Sequence, residues 1–532
     1  MDAEVLIVGA GPTGLMLANQ LARRGVRISI IDQNAGPSVR TKALGVQART
    51  LEIYSHLGIA AAAVALGHRV DGANIWTEGR RAARVPMGDI GQDLSPFPFL
   101  LILGQDDNER LLGACLQDRG HAVSWNTRLL ALDQSHDGVA ATLGQADGTT
   151  REVHVEFVAG CDGAHSSVRR LCGIDFADAP YEDLFFVADT EATGGMTPGE
   201  LNIFLWRRGF HLFFPMRGAN HWRVVGIVPV ELRAREDITF AQVAPFIVRQ
   251  AGIPLAFQRC GWFSPYRVHH RRAARFRDRR CFLLGDAAHI HSPVGAQGMN
   301  TGLQDAYNLA WKLALVCAGR ADPGLLDSYD TERAPVAERL LRTTDQGFTF
   351  FVSPRWYAEV FRTRILPRAI SMAMRRERGR RLAFRTISQI GIRYARSPLS
   401  RMLSPLPGDA PCAGDRFPWL ALRFTPHCPA EDLFSRLDDT RFTLLLFGQP
   451  APEHKGVANL PGDVQILAVP RDEHNDAVLR RAHLPMPSFF LLRPDGHVGC
   501  AGTTLDAAAL MDYLEGAMRL RAGSMAAAMS GA

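Results

Sequence analysis

A chain of 532 residues with 47% hydrophobic and 21% charged residues is long enough for two or three domains and has ordinary soluble globular composition. Its formal net charge of +6 is too small for this length to imply nucleic acid, and suits an anionic substrate or a pyrophosphate group. No uninterrupted apolar run predicts a membrane-spanning helix and no basic leader precedes the first strand; the nine cysteines form no C-x-x-C pair, so zinc and dithiol chemistry are not expected and a reducing, cytoplasmic setting is.

In chain order, residues 1 to about 60 read as a βαβ unit. Val5-Leu6-Ile7-Val8 suits a strand buried on both faces. Leu15, Leu17, Ala18 and Leu21 recur at helical spacing up to Gly25, and Arg27 to Ile31 is the second strand. Between the first strand and the helix stands Gly9-Ala-Gly11-Pro-Thr-Gly14. In that context the glycines permit a tight turn and let backbone N–H groups approach a pyrophosphate at the helix N-terminus. Asp32 closes the second strand, where a carboxylate can accept both ribose hydroxyls of an adenosine. A glycine-rich turn with no ligand is the competing reading, and the motif alone does not separate FAD from NAD.

Further on, the apolar strand Val155–Ala159 leads into Cys161-Asp162-Gly163-Ala-His-Ser166. From 181 to 269, short strands such as Asn202–Trp206, His211–Pro215 and Trp222–Pro229 predict an antiparallel sheet inserted as a substrate domain. Cys281–Leu284 then ends on Gly285-Asp286-Ala-Ala-His289, followed by Pro293-Val-Gly295-Ala-Gln297-Gly298-Met299-Asn300 and a helix through Leu315. Singly, Asp162 reads as well as a turn residue, and Asp286 as a helix N-cap. Their order along the chain, each after an apolar strand, makes them one constellation. A carboxylate at a strand end can bind ribityl hydroxyls, and N–H groups at Gly295 and Gly298 can meet a flavin carbonyl. Residues 330–400 read as helical with two Arg-rich faces, completing a nucleotide domain from 1–180 and 270–400. After the linker Ser404-Pro-Leu-Pro-Gly-Asp-Ala-Pro411, strands at Phe442–Phe447, Val464–Val469 and Phe489–Leu492 and a helix at Asp506–Met518 predict a small α/β domain over 410–520. Residues 521–532 read as a frayed tail.

These motifs resemble the class A flavin-dependent aromatic hydroxylases, the family of para-hydroxybenzoate and phenol hydroxylases, over most of residues 3–400. The resemblance implies an α/β fold: a Rossmann-like FAD-binding domain with an inserted antiparallel sheet. It implies that Gly9, Gly11 and Gly14 hold the FAD pyrophosphate and that Asp32 takes the adenosine ribose. Arg40, in Arg40-Thr-Lys-Ala43 ahead of Arg49-Thr-Leu-Glu52, and Gln105 become FAD contacts. Asp162 belongs to a motif tied to FAD and NAD(P)H, Gly285-Asp286 to the ribityl chain, and Pro293, Gly295, Gly298, Met299 and Asn300 to the loop at the isoalloxazine. Gln304-Asp305-Ala-Tyr-Asn308 and Tyr329-Asp-Thr-Glu332-Arg333 continue the pattern; Ala296, where many relatives carry a second glycine, departs from it. The C-terminal domain is similar to the thioredoxin-like extension of the phenol hydroxylase branch, expected to serve packing or oligomer contacts, a homodimer among them.

The implied chemistry is hydroxylation of a small phenolic substrate with NAD(P)H and O2 through a C4a-hydroperoxide of FAD, in which the cofactor performs the difficult step. No second G-x-G-x-x-G is present, so a separate NAD(P)H domain is not expected. His211 is a candidate base for drawing a phenol proton, with Tyr266 and His269 behind it; Pro293 is the other catalytic candidate, through its place in the flavin loop. Arg207 and Arg217 read as anionic-substrate contacts or as solvated strand ends. The run Arg267 to Arg280 lacks the aromatic interleaving of a nucleic-acid surface, and no metal site is expected. Baeyer–Villiger oxidation, epoxidation and a flavin-binding redox sensor without turnover are the alternatives.

Overall fold

The computed structural model describes residues 1–532 except 39–42, 207–208, 291–296, 353–354, 426, 451–463 and 522–532, and describes the backbone alone at 178–183, 268–270 and 343–352. Val5–Val8, wholly buried, lies inside a six-stranded sheet. Its neighbours are Phe157–Gly160 and Ile28–Ile31, both parallel to it. Cys281–Leu283 extends the parallel array on one side and Val123–Ser124 on the other. The helix Pro12–Ala22 lies against the long helix Gly298–Cys317 and against Gln105–Gln117. Their Leu17, Leu21, Leu112, Leu303 and Leu313 join the strand residues in one large core.

The second sheet has eight strands, in the order His289–Ile290, Leu255–Ala273, Phe176–Gly194, His221–Ile227, Gly209–Pro215, Leu201–Trp206, Gly72–Thr77, Arg80–Pro86. It therefore extends beyond the 181–269 segment expected of it. Gly72–Thr77 adds parallel to Leu201–Trp206, with Ala73 opposite Leu201. Trp76 stacks on Phe204 at 5.7 Å, so this strand is held by side chains as well as by its ladder.

Side chains alternate across such a sheet. Phe186, Phe204, Phe213 and Val224 pack under the amphipathic helix Phe240–Ala251 through Val243 and Ile247. The opposite face carries Ile75, Phe185, Leu205, Phe210 and Ile227. At the Gly209–Pro215 end that face meets the nucleotide layer, where Phe214 and Met216 pack against the cluster of Leu44, Leu100 and Ile102.

Arg401–Met402, Val498–Gly502, Ser488–Leu492, Phe442–Phe447 and Val464–Val469 form a third, mixed sheet of five strands. Phe442–Phe447 is buried throughout and pairs parallel with Val464–Val469 and antiparallel with Ser488–Leu492. One face of this sheet packs on Trp311 and Leu315 of the long helix, so the C-terminal part shares a core with the nucleotide layer. Among the described residues no helix is long and apolar enough to cross a membrane.

Candidate functional site

Four strands of the parallel sheet, Val5–Val8, Ile28–Ile31, Phe157–Gly160 and Cys281–Leu283, point their carboxyl ends the same way. The four motifs read from the sequence are the residues that follow those ends, which is where parallel sheets bind ligands. Gly9 takes φ +103°, and a Cβ there would meet Cys161 O at 2.4 Å; one on Gly14 would meet Gly9 O at 1.9 Å. The loop is thus pressed against its neighbour strand and its own helix. Gly11 caps the helix Pro12–Ala22 with no side-chain partner for the first N–H groups. Gly298–Cys317 likewise starts without a side-chain cap. These two N-termini lie side by side, since a Cβ on Gly302 would fall 2.4 Å from Thr13 Oγ1.

Asp32 is tied to the glycine loop: its Oδ2 accepts from Ala10 N at 2.8 Å and its Oδ1 from Asn34 N at 2.8 Å. Asp162 Oδ2 accepts from Ser167 N at 2.6 Å and Val168 N at 3.2 Å. Burial raises its pKa, and its buried Oδ1 has no partner among the described residues. Asp286 is exposed, on a single 3-10 turn that begins at Gly285. Gln105 opens the helix Gln105–Gln117, its Nε2 donating to Glu109 Oε1 at 2.8 Å while Glu109 Oε2 accepts from Ser38 N at 2.9 Å. Met299 is partly buried against the main core. Asn300 ties the long helix to the segment after residue 44: Oδ1 accepts from Gln47 N (2.9 Å) and Thr50 Oγ1 (2.7 Å), and Nδ2 donates to Gly45 O (2.8 Å). Arg40, Pro293, Gly295, Ala296 and Arg207 lie outside the described residues.

The arrangement fits FAD on two counts. Among the described residues a Cβ at Gly11 or Gly298 would meet nothing within 4 Å, which leaves room at both uncapped helix N-termini for an anionic pyrophosphate or a reduced flavin. Asp162 also leaves a buried acceptor for a ligand hydroxyl.

Sequence reasoning gave no role to the ion pairs beneath this edge. Asp305 Oδ2 accepts from Gly285 N at 3.0 Å and contacts His289 Nε2 at 2.7 Å, and its Oδ1 accepts from Arg333 Nε at 2.6 Å. Burial alone would raise its pKa, but Arg333 and His289 outweigh that and hold it at about 2. Next to Arg333, Glu332 accepts from Lys312 (2.8 Å), Arg493 (2.5 Å) and Ser397 (2.6 Å). Arg493 also pairs with Asp495. Arg49, in the segment that follows Arg40, donates to Glu52 at 3.0 Å and to Asp495 O at 2.5 Å. The available signal was Asp305 and Lys312, the two charged residues of the helix Gly298–Cys317.

His211 requires a correction. It lies on the face of the sheet covered by the helix Phe240–Ala251, in the alternation of Phe213, whereas Leu212 and Phe214 point the other way. It is 1% exposed, stacked on Trp206 and held by Gln250 Oε1 at 2.6 Å from its Nε2. Burial drives its pKa down to about 4. It is a core residue behind the sheet and is not positioned to receive a phenol proton. Tyr266 does occupy the other face, beside Phe185, where burial raises its pKa. The backbone of His269 continues the same strand, and its side chain lies outside the described set. Between the turn 215–222 and the segment that includes Leu44, Ile102 and Gly104 opens a cavity of about 500 Å³, lined also by Arg217, within the range of small-molecule sites.

Comparison with known proteins gives the family. The family model described as an FAD binding domain matches residues 2–344. The chain is 33% identical over 515 residues to a 6-methylpretetramide 4-monooxygenase of Streptomyces rimosus, covering 94% of this chain and 90% of that one. It is 35% identical over 346 residues to the pentachlorophenol 4-monooxygenase of Sphingobium chlorophenolicum, covering 64% of each. Among solved structures, a ternary complex of aklavinone-11 hydroxylase with FAD and aklavinone aligns over 97% of this chain and 99% of that one, with 25% identity and a TM-score of 0.79.

Proposed function

This chain belongs to the FAD-binding family of flavin-dependent aromatic monooxygenases, and from that premise we propose that it hydroxylates a phenolic ring system, taking electrons from NAD(P)H and one oxygen atom from O2. The observation that carries the proposal is the convergence of four strand-end motifs and two uncapped helix N-termini on one edge of the parallel sheet, in a layer that the eight-stranded sheet meets at its Gly209–Pro215 end.

In this reading Gly9, Gly11 and Gly14 hold the pyrophosphate of FAD, Asp32 the adenosine ribose and Asp286 the ribityl chain. Arg40, Gln105 and Asp162 complete the nucleotide contacts, and Pro293, Gly295, Gly298, Met299 and Asn300 border the flavin ring. Bound FAD would supply the oxidation of the nicotinamide and the activation of dioxygen. The chain itself orients and dries the site. Asp305 anchors the Gly285 turn, Asn300 fixes the start of the long helix, and the sheet face offers an apolar wall.

A polycyclic phenol is the proposed substrate class. Ile203, Leu212, Phe214, Val187 and Tyr266 are only half-buried on that wall, across five adjacent strands about 4.8 Å apart. That span is wider than one ring needs, and two of the relatives are named for polycyclic compounds. The C-terminal unit over 410–520 is proposed to be thioredoxin-like in fold and structural in role; its described cysteines, Cys412, Cys428 and Cys500, are all free. A cytoplasmic homodimer is the proposed setting.

The test is the visible spectrum of the purified protein, then NADH and NADPH oxidation across single-ring and polycyclic phenols, with product mass. Bound flavin, oxidation stimulated by a polycyclic phenol and a hydroxylated product heavier by one oxygen atom are expected. Flavin without aromatic-stimulated oxidation would support a sensor, and an inserted ring oxygen or an epoxide one of the sister chemistries.

A further inference from the structure

The sheet face away from the helix Phe240–Ala251 carries the apolar cluster of Phe185, Phe210 and Ile227 and, beside it, rows of paired charges, of which Glu191 with His221 and Arg259 is exposed and Arg223 with Asp189 is the inner one. Phe214 pairs with Arg223, Arg223 with Asp189, and Asp189 with Trp262, across four adjacent strands. Alternation puts this row on the face of Leu212, Val225 and Tyr266, away from the covering helix. Phe214 is also the member that packs toward Leu44 and Ile102, so the row lies at the nucleotide-proximal end of the sheet.

Arg223 is 2% exposed. Its Nε donates to Asp189 Oδ1 at 2.6 Å and its Nη2 to Asp189 Oδ2 at 2.7 Å, while the guanidinium lies 5.4 Å from the Trp262 ring centroid. That is a two-point clamp with an aromatic support, which fixes the plane of the group. The remaining nitrogen, Nη1, is buried and has no partner among the described residues. A buried donor left over is costly, and an ion pair with a spare edge is a poor way to fill an apolar wall. Asp189 keeps a quarter of its side chain exposed (26%), so the pair borders the open part of the face. Its carboxylate cancels the charge of Arg223 without occupying the spare edge. Such a group suits an oxygen that carries partial or full negative charge on an otherwise apolar molecule.

We propose that Arg223, clamped by Asp189 and supported by Trp262, receives an acidic oxygen (phenolate, enolate or carboxylate) of the substrate and so fixes which edge of the ring system faces the nucleotide layer. This rests on the polycyclic-phenol reading given above and adds its polar anchor.

The test titrates FAD-loaded protein with rhein (a dihydroxyanthraquinone carboxylate), anhydrotetracycline and unsubstituted anthraquinone, following the visible absorbance of the bound flavin. Arg223→Gln should weaken the two acidic probes about ten- to hundredfold, the effect of one charge-assisted hydrogen bond. Anthraquinone affinity and FAD content should not change, and Arg223→Lys should recover part of the loss. Asp189→Asn keeps the cation and removes its competitor, so it should bind rhein at least as tightly as the wild type. A purely structural pair predicts that Arg223→Gln and Asp189→Asn weaken all three probes together, in step with lost thermal stability; that result, or unchanged acidic-probe affinity in Arg223→Gln, overturns the proposal. If the FAD-loaded wild type binds none of the three, the polycyclic reading itself fails, and the anchor with it.

Discussion

Two glycines of the first turn separate the demands of folding from those of the cofactor. A methyl group at Gly14 would sit 1.9 Å from Gly9 O, whereas one at Gly11 meets nothing. Gly14→Ala should therefore destabilise the chain even without flavin. Gly11→Ala should leave the melting temperature of the flavin-free protein unchanged and weaken FAD binding, which calorimetric titration reads directly. His211 gives a different handle. Its folded pKa of about 4 lies below the ordinary value near 6.5, so between those values the unfolded chain holds a proton that the folded chain does not. Stability is then intact above pH ~6.5 and falls by about 3 kcal/mol as pH drops through 4. His211→Phe should flatten the melting temperature against pH over that window. The pH profile of turnover should keep its shape; a lost alkaline or acid limb would restore His211 as a base.

At the scale of elements, the helix Gly298–Cys317 is the anchor of the site, because Asn300, Asp305 and Lys312 on it are all fully buried and bonded to other segments. Asp305→Asn leaves Arg333 buried against a neutral partner, at a cost of about 3–5 kcal/mol, and loosens the Gly285 turn. Denaturant unfolding should show that loss together with weaker FAD retention. The parallel sheet and its motifs were legible in the sequence because each consists of a buried run followed at once by its glycine or acid. Other features carry no such local mark. Gly72–Thr77 finds its neighbour far along the chain, as the bond from Asn74 to Glu200 shows. Alternation marked His211 as one of two faces without saying which a helix would cover. The row of Arg223 and Asp189 carries no local mark either, since its two charged residues stand 34 positions apart.

For the molecule as a whole, the C-terminal sheet is part of the flavin domain's foundation. Arg416 pairs with Glu52 (3.0 Å from Nε), Arg493 with Glu332, and Tyr307 Oη donates to Asp439 at 3.1 Å. Arg493→Met removes the cation that Glu332 and Asp495 share, leaving Glu332 with Lys312 as its cation, and should cost about 3–5 kcal/mol, more than any surface change. Replacing Cys412, Cys428 and Cys500 together with Ser should leave NAD(P)H-coupled hydroxylation within about twofold; a larger loss in kcat/KM would give that domain a redox part in turnover.

Arg49 and its acceptor at Asp495 stand 446 positions apart. On the ribosome, the glycine loop and its strands emerge first, but the shell that steadies them is translated last. Cofactor capture is thereby expected to wait until residue 495 has been made. A nascent or prematurely terminated chain should stay colourless, and the yellow of the flavin would report in a lysate that synthesis had run past residue 495.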